Sequence, residues 1–107
     1  MEVEISINRP IPLGGATFIK TSFGVISAKD NEMVSKYKSK LSKLLNDLLK
    51  ELQIKYGKDA FIAISYIITA EDNTKEPKEI IIRKITFWEP TKILTEPIIV
   101  ENPNKTE

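Results

Sequence analysis

Residues 31–57 read NEMVSKYKSKLSKLLNDLLKELQIKYG, and this stretch decides the fold. Its apolar residues Val34, Tyr37, Leu41, Leu44, Leu45, Leu48, Leu49 and Leu52 recur mostly at spacings of three and four. That period puts them on one side of an α-helix. Asp30 or Asn31 can cap its start, and Ser27-Ala-Lys-Asp30 resembles a capping box. Gly57 stands where a helix ends in a left-handed residue, with Lys55 and Lys58 at the negative end of the dipole. The spacing predicts a helix over 31–56, about 39 Å long at about 1.5 Å per residue.

Outward from this helix the pattern changes to strands. Residues 60–70 (AFIAISYIITA) and 79–89 (EIIIRKITFWE) read as two strands joined by a polar hairpin loop over 72–77. Upstream, residues 3–7 alternate as a short strand, and 9–15 (RPIPLGG) form a loop of two prolines and two glycines. Residues 17–28 are rich in Thr, Phe, Ile and Val and read as a strand bent at Gly24. Residues 91–100 are a candidate further strand, confined to an edge by Pro97. The expected fold is α+β, in the order β-β-α-β-β(-β). It has an antiparallel or mixed sheet with one long amphipathic helix on one face. Residues 1–100 form one domain in this reading, and 101–107 a flexible tail.

Composition bounds the chemistry. The chain has 107 residues, no Cys and no His, and a formal net charge of +1. Without Cys there is no disulfide, thiolate metal site or thiol nucleophile, and without His no imidazole base or ligand. Seventeen Ile, fourteen Lys and eleven Glu stand against a single Gln, a balance that points to a thermophile. The opening MEVEISINRP lacks the basic start of a signal peptide, and no apolar run reaches the length of a membrane helix. The expected compartment is the cytoplasm.

The strand over 60–70 is apolar on both parities. Phe61, Ala63 and Ile67 lie on one, and Ile62, Ile64, Tyr66 and Ile68 on the other. Strands of that kind are buried on both faces, and one helix covers only one. A homo-oligomer with sheet-face or sheet-edge contacts is therefore expected. Phe18, Phe23, Tyr66 and Trp88 are candidates for burial between subunits. Trp88 reads equally as an interface anchor or as a cap on the core.

Some segments resemble the YbjQ-like family, labelled heavy-metal-binding. TSFGVIS (21–27) is similar to the family strand ending in Gly-Val-Val-x-Gly, and KYGKDAFIAIS (55–65) to its helix-stop and following strand. Residues 78–87 match the final family strand. The likeness spans about 17–90 and rests mainly on Gly24, Val25, Gly57 and Ala60. The family's glycine-rich segment and nearby Arg are lacking, and Ala63 replaces a usual Gly. The resemblance implies a small α+β domain assembling into pentameric rings. Its metal label finds no support in a chain whose only soft ligands are Met1 and Met33.

Remaining candidates are weak in motif terms. Lys36, Lys40, Lys43 and Lys50 share the helix face opposite the leucines and form a candidate anion or nucleic-acid contact. Pairing such as Glu32–Lys36 favours a solvated face instead. Ser39 and Ser42, with Ser35 and Asn46, form a small polar flank suited to a subunit contact. PIPLGG (10–15) lacks the Gly-Lys-Ser/Thr ending of a phosphate loop. Glu71, Asp72, Glu76 and Glu79 match no known metal loop. No residues are assigned to catalysis, cofactor or metal. The expected role is that of a non-enzymatic oligomer acting through its assembled surface or inter-subunit clefts, with nucleic-acid association by the lysine face as the alternative.

Overall fold

The computed structural model describes residues 1–88. The candidate strand over 91–100 and the tail over 101–107 lie outside the described residues. Five elements follow one another: β1 (Glu2–Pro12), α1 (Thr17–Lys29), α2 (Asn31–Tyr56), β2 (Phe61–Ala70) and β3 (Pro77–Trp88). The strands form an antiparallel sheet in the order β1-β2-β3. The α+β class, the antiparallel sheet and the long amphipathic helix are as expected.

Register explains which strand residues are buried. Val3, Ile5 and Ile7 lie opposite Ile68, Tyr66 and Ile64, and all six are buried. Glu2, Glu4 and Ser6 lie opposite Thr69, Ile67 and Ser65 on the other face. The first set is the inner face. α1 packs against β1 and α2, and α2 packs against β3. From the helices Phe18, Ile26, Met33, Leu41, Leu45, Leu49 and Leu52 complete the core. Each such side chain stabilises the fold by about 1.5–3 kcal/mol.

The segment 17–28 is a helix, which corrects its reading as a strand. Phe18, Ser22 and Ile26 are its buried residues. They recur every fourth position, with Ile19 and Phe23 half-buried beside them. Packing of this stripe outweighs the strand preference of its Thr, Val and Ile residues. Two helices therefore cover the inner face instead of one.

α2 spans the residues its leucines predict. Asp30 caps it, its Oδ1 accepting from the Met33 N–H at 3.1 Å. Gly57 closes it with φ +88°, a conformation that favours glycine. A kink at Tyr37, with φ −127° and ψ 35°, divides it. β1 runs further than its alternation predicts and takes in Pro10 and Pro12. An edge strand tolerates prolines: Pro10 falls within the register shift between Ile7 and Ile11, and Pro12 stands opposite Phe61 as the last residue of the strand. The turn after β1 is pinned to the far end of α2. The Leu13 N–H donates to the Ala60 carbonyl at 3.1 Å, and Gln53 Nε2 donates to the Leu13 carbonyl at 2.7 Å. A Cβ on Gly14 would stand 3.1 Å from the Lys58 carbonyl, so a larger residue there would have to push that carbonyl back by a few tenths of an ångström.

Candidate interaction surface

β3 positions the most unusual surface of the protein. Its partner β2 is central, so its other edge is free among the described residues. Lys84 lies opposite Ser65 and Ile82 opposite Tyr66, which leaves Arg83 as an extra residue. This bulge shifts the alternation of β3 by one. Ile80, Ile82, Ile85 and Phe87 share the inner face, because they lie opposite Ile68, Tyr66, Ile64 and Ile62. Glu79, Ile81, Lys84, Thr86 and Trp88 share the outer face.

Neither set is well covered. Ile81, Ile82, Phe87 and Trp88 are 45, 41, 44 and 45% exposed, and Phe61, opposite Trp88 in register, is 46% exposed. The end of α2 gives Phe87 one aromatic neighbour, Tyr56, at a centroid distance of 4.6 Å. Along the rest of β3 a groove separates the strand from α2. One part, of 340 Å³, has Leu44, Leu48, Ile80 and Ile82 in its walls. The other, of 440 Å³, lies between Lys40, Lys43 and Pro77. On the outer face Trp88 borders a 230 Å³ hollow beside Ala63, Ser65 and Thr86.

The structure redistributes the other candidates. Phe18 and Tyr66 are fully buried within the protein, so their reading as inter-subunit residues is corrected. Phe18 lies on the buried stripe of α1, and Tyr66 on the inner parity of β2. Burial pushes the Tyr66 phenol up to about 12, although nearby Ser22 acts slightly in the opposite sense. Neither hydroxyl has a partner of good hydrogen-bond geometry. Phe23 is half-buried against the core. Ser39 is exposed and Ser42 half-buried. Trp88 is exposed, not a cap on the core.

The lysine face is largely occupied by carboxylates. Lys36 pairs with Glu32 at 3.1 Å, Lys43 with Asp47 at 3.4 Å, and Lys40 with Glu76. Lys50 has no ion pair among the described residues. Glu32 also meets Lys75 at 3.0 Å, and Lys75, followed by Lys36, holds its carboxyl below the usual range. Three of the four hairpin acids are likewise engaged, Glu76 with Lys40 as above. Glu71 meets Lys78 at 2.6 Å, and Asp72 meets the Met1 amine at 2.7 Å. That amine lowers the Asp72 pKa, and Glu71 raises that of Lys78. Residues 10–15 end β1 and turn into α1 with no charged residue among them.

Sequence reasoning did not single out Ile81, Ile82 or Phe61. The available signal was the run Ile80-Ile-Ile82 in a strand that the hairpin pattern places beside β2. No family model, no curated protein and no solved structure matches the chain. Of the residues that carry the resemblance noted above, Gly57 directly follows α2 and Ala60 directly precedes β2. Gly24 and Val25 lie in α1.

Proposed function

We propose that the chain is a non-enzymatic, homo-oligomer-forming α+β domain of the cytoplasm that acts through the surface of its assembly or through clefts between subunits. One observation carries this reading: β3, whose outer edge is free among the described residues, exposes large apolar side chains on both faces, Ile81 and Trp88 on the outer face with Phe61 opposite Trp88, and Ile82 and Phe87 on the inner. Exposed apolar residues gathered on one strand mark an interaction site, and a free edge offers unpaired backbone groups to another chain. The resemblance to YbjQ-like proteins adds a ring, pentameric in that family, as one form of the assembly.

Light scattering at micromolar concentration tests the reading. The expected mass is a multiple of 12.2 kDa, and a monomeric mass overturns it. Nucleic-acid association is less well supported, because three of the four lysines on the helix face already have carboxylate partners.

A further inference from the structure

We propose that β3 pairs antiparallel with β3 of a second copy, about a two-fold axis at Ile81, to make one continuous six-stranded sheet. This rests on the oligomeric reading above and names the contact.

The argument begins with the two edges of the sheet. β1 is interrupted by Pro10 and Pro12 and shifts register between Ile7 and Ile11. Those features blunt an edge. β3 has one proline, at its first residue, and single extra residues at Lys78 and Arg83, with a regular run over residues 79–82 between them. Among the described residues the outward backbone groups of that run are available for pairing.

Charge then selects the register. An axis through any residue of the strand keeps paired residues on a common face. With Arg83 extra in both copies, a centre at Ile81 is the one that sets opposite charges against each other. Ile81 then meets Ile81 of the partner subunit. Ile80 meets Ile82 of the partner subunit, and the reverse. Glu79 meets Lys84 of the partner subunit on the outer face, again twice by symmetry. Glu79 and Lys84 are exposed and have no ion-pair partner among the described residues. Charges that ordinarily discourage an edge contact are here of opposite sign about the axis. On the inner face the second strand covers Ile80 and Ile82 and closes the mouth of the groove against Leu44 and Leu48.

The chain contains no Cys, so Ile81→Cys introduces a single thiol. Across an antiparallel pair the Cα atoms are about 4.5–5.5 Å apart, inside the span a disulfide bridges. Packing of two sheets face to face would hold them about 10 Å apart, outside it. Mild oxidation of Ile81→Cys is expected to give a covalent dimer in high yield. Glu79→Lys and Lys84→Glu, both at exposed positions, are each expected to weaken the dimer about tenfold by sedimentation. The double variant Glu79→Lys/Lys84→Glu restores it. Four outcomes overturn the inference. An odd-numbered assembly would do so, as would cross-linking through Phe61→Cys but not Ile81→Cys, or failure of the double variant to recover. Each of these leaves the oligomeric reading standing. A monomer in the unmodified protein removes both.

Discussion

Replacing Tyr66 by Phe should make the protein more resistant to alkali. The phenol is 1% exposed, and burial raises its pKa from 10.0 to about 12. In the unfolded chain it ionises near its ordinary value. Below pH 10 both states are protonated, and the full contribution to stability is present. Between pH 10 and 12 the unfolded state ionises while the folded state resists, so stability is lost as pH rises. Two units correspond to about 3 kcal/mol over that interval. Near neutral pH the substitution should change stability by less than about 1 kcal/mol, because the hydroxyl makes no well-formed hydrogen bond. Urea unfolding of the two proteins, followed from neutral pH to about pH 12, gives the difference directly. Lysines that titrate in the same range affect both proteins alike and cancel. The Tyr66→Phe variant should therefore overtake the unmodified protein above pH 10. Stability curves that stay parallel would refute the reasoning. So would tyrosinate absorbance showing that Tyr66 ionises near pH 10 in the folded protein.

Gln53→Ala should cost about 1 kcal/mol and loosen the turn at Leu13, because the partly buried Leu13 carbonyl loses its 2.7 Å donor. Faster amide exchange at Leu13, with exchange in β2 unchanged, checks this; unchanged exchange at Leu13 counts against it. The excess of Ile, Lys and Glu over a single Gln leads us to expect thermal unfolding above about 80 °C, whereas a midpoint of about 45–65 °C, usual for mesophile domains, would contradict it.

The legible parts of the fold are those in which local pattern and packing agree. α2 carries its apolar residues at one helical period, between a capping Asp30 and a closing Gly57. β2 and β3 are recognisable from their isoleucines and the polar turn between them. α1 is where the two disagree. Thr17, Thr21, Val25 and Ile26 favour strands, and Ser22 interrupts the apolar stripe at its centre. Ser22 is nevertheless fully buried, so a small side chain permits close packing there without announcing a helix. Phe18 and Tyr66 were open to misreading because aromatic residue type alone does not say which face points inward. The arrangement of β3 was hidden by its bulge. Strict alternation from Ile81 would put Arg83 and Ile85 on the outer face, whereas the extra residue puts Lys84 and Thr86 there.

That displacement joins the fold to its proposed assembly. Without the bulge, the outer face would carry Glu79, Ile81, Arg83 and Ile85. The residues beyond the bend would then present the opposite faces, placing Phe87 outside and Trp88 against the helices. With the bulge, Ile85 and Phe87 turn toward the core, and Phe87 gains Tyr56 as a neighbour. The same shift leaves Lys84 and Trp88 outside, with Lys84 on the same face as Glu79. The one-residue irregularity keeps the inner apolar series continuous against β2 and α2, and it leaves a basic residue, Lys84 in place of Arg83, at the outer position that matches Glu79 about Ile81. Deleting Arg83 tests what the bend itself adds. Because Arg83 is the extra residue, its deletion leaves Ile82 inside and Lys84 outside in strict alternation, and so should preserve the facing of both halves of β3 while removing the bend. The Glu79 and Lys84 charge reversals change only the outer face. If they alter association while leaving unfolding of the isolated subunit unchanged, the outer face of β3 has a role in recognition beyond its role in the fold.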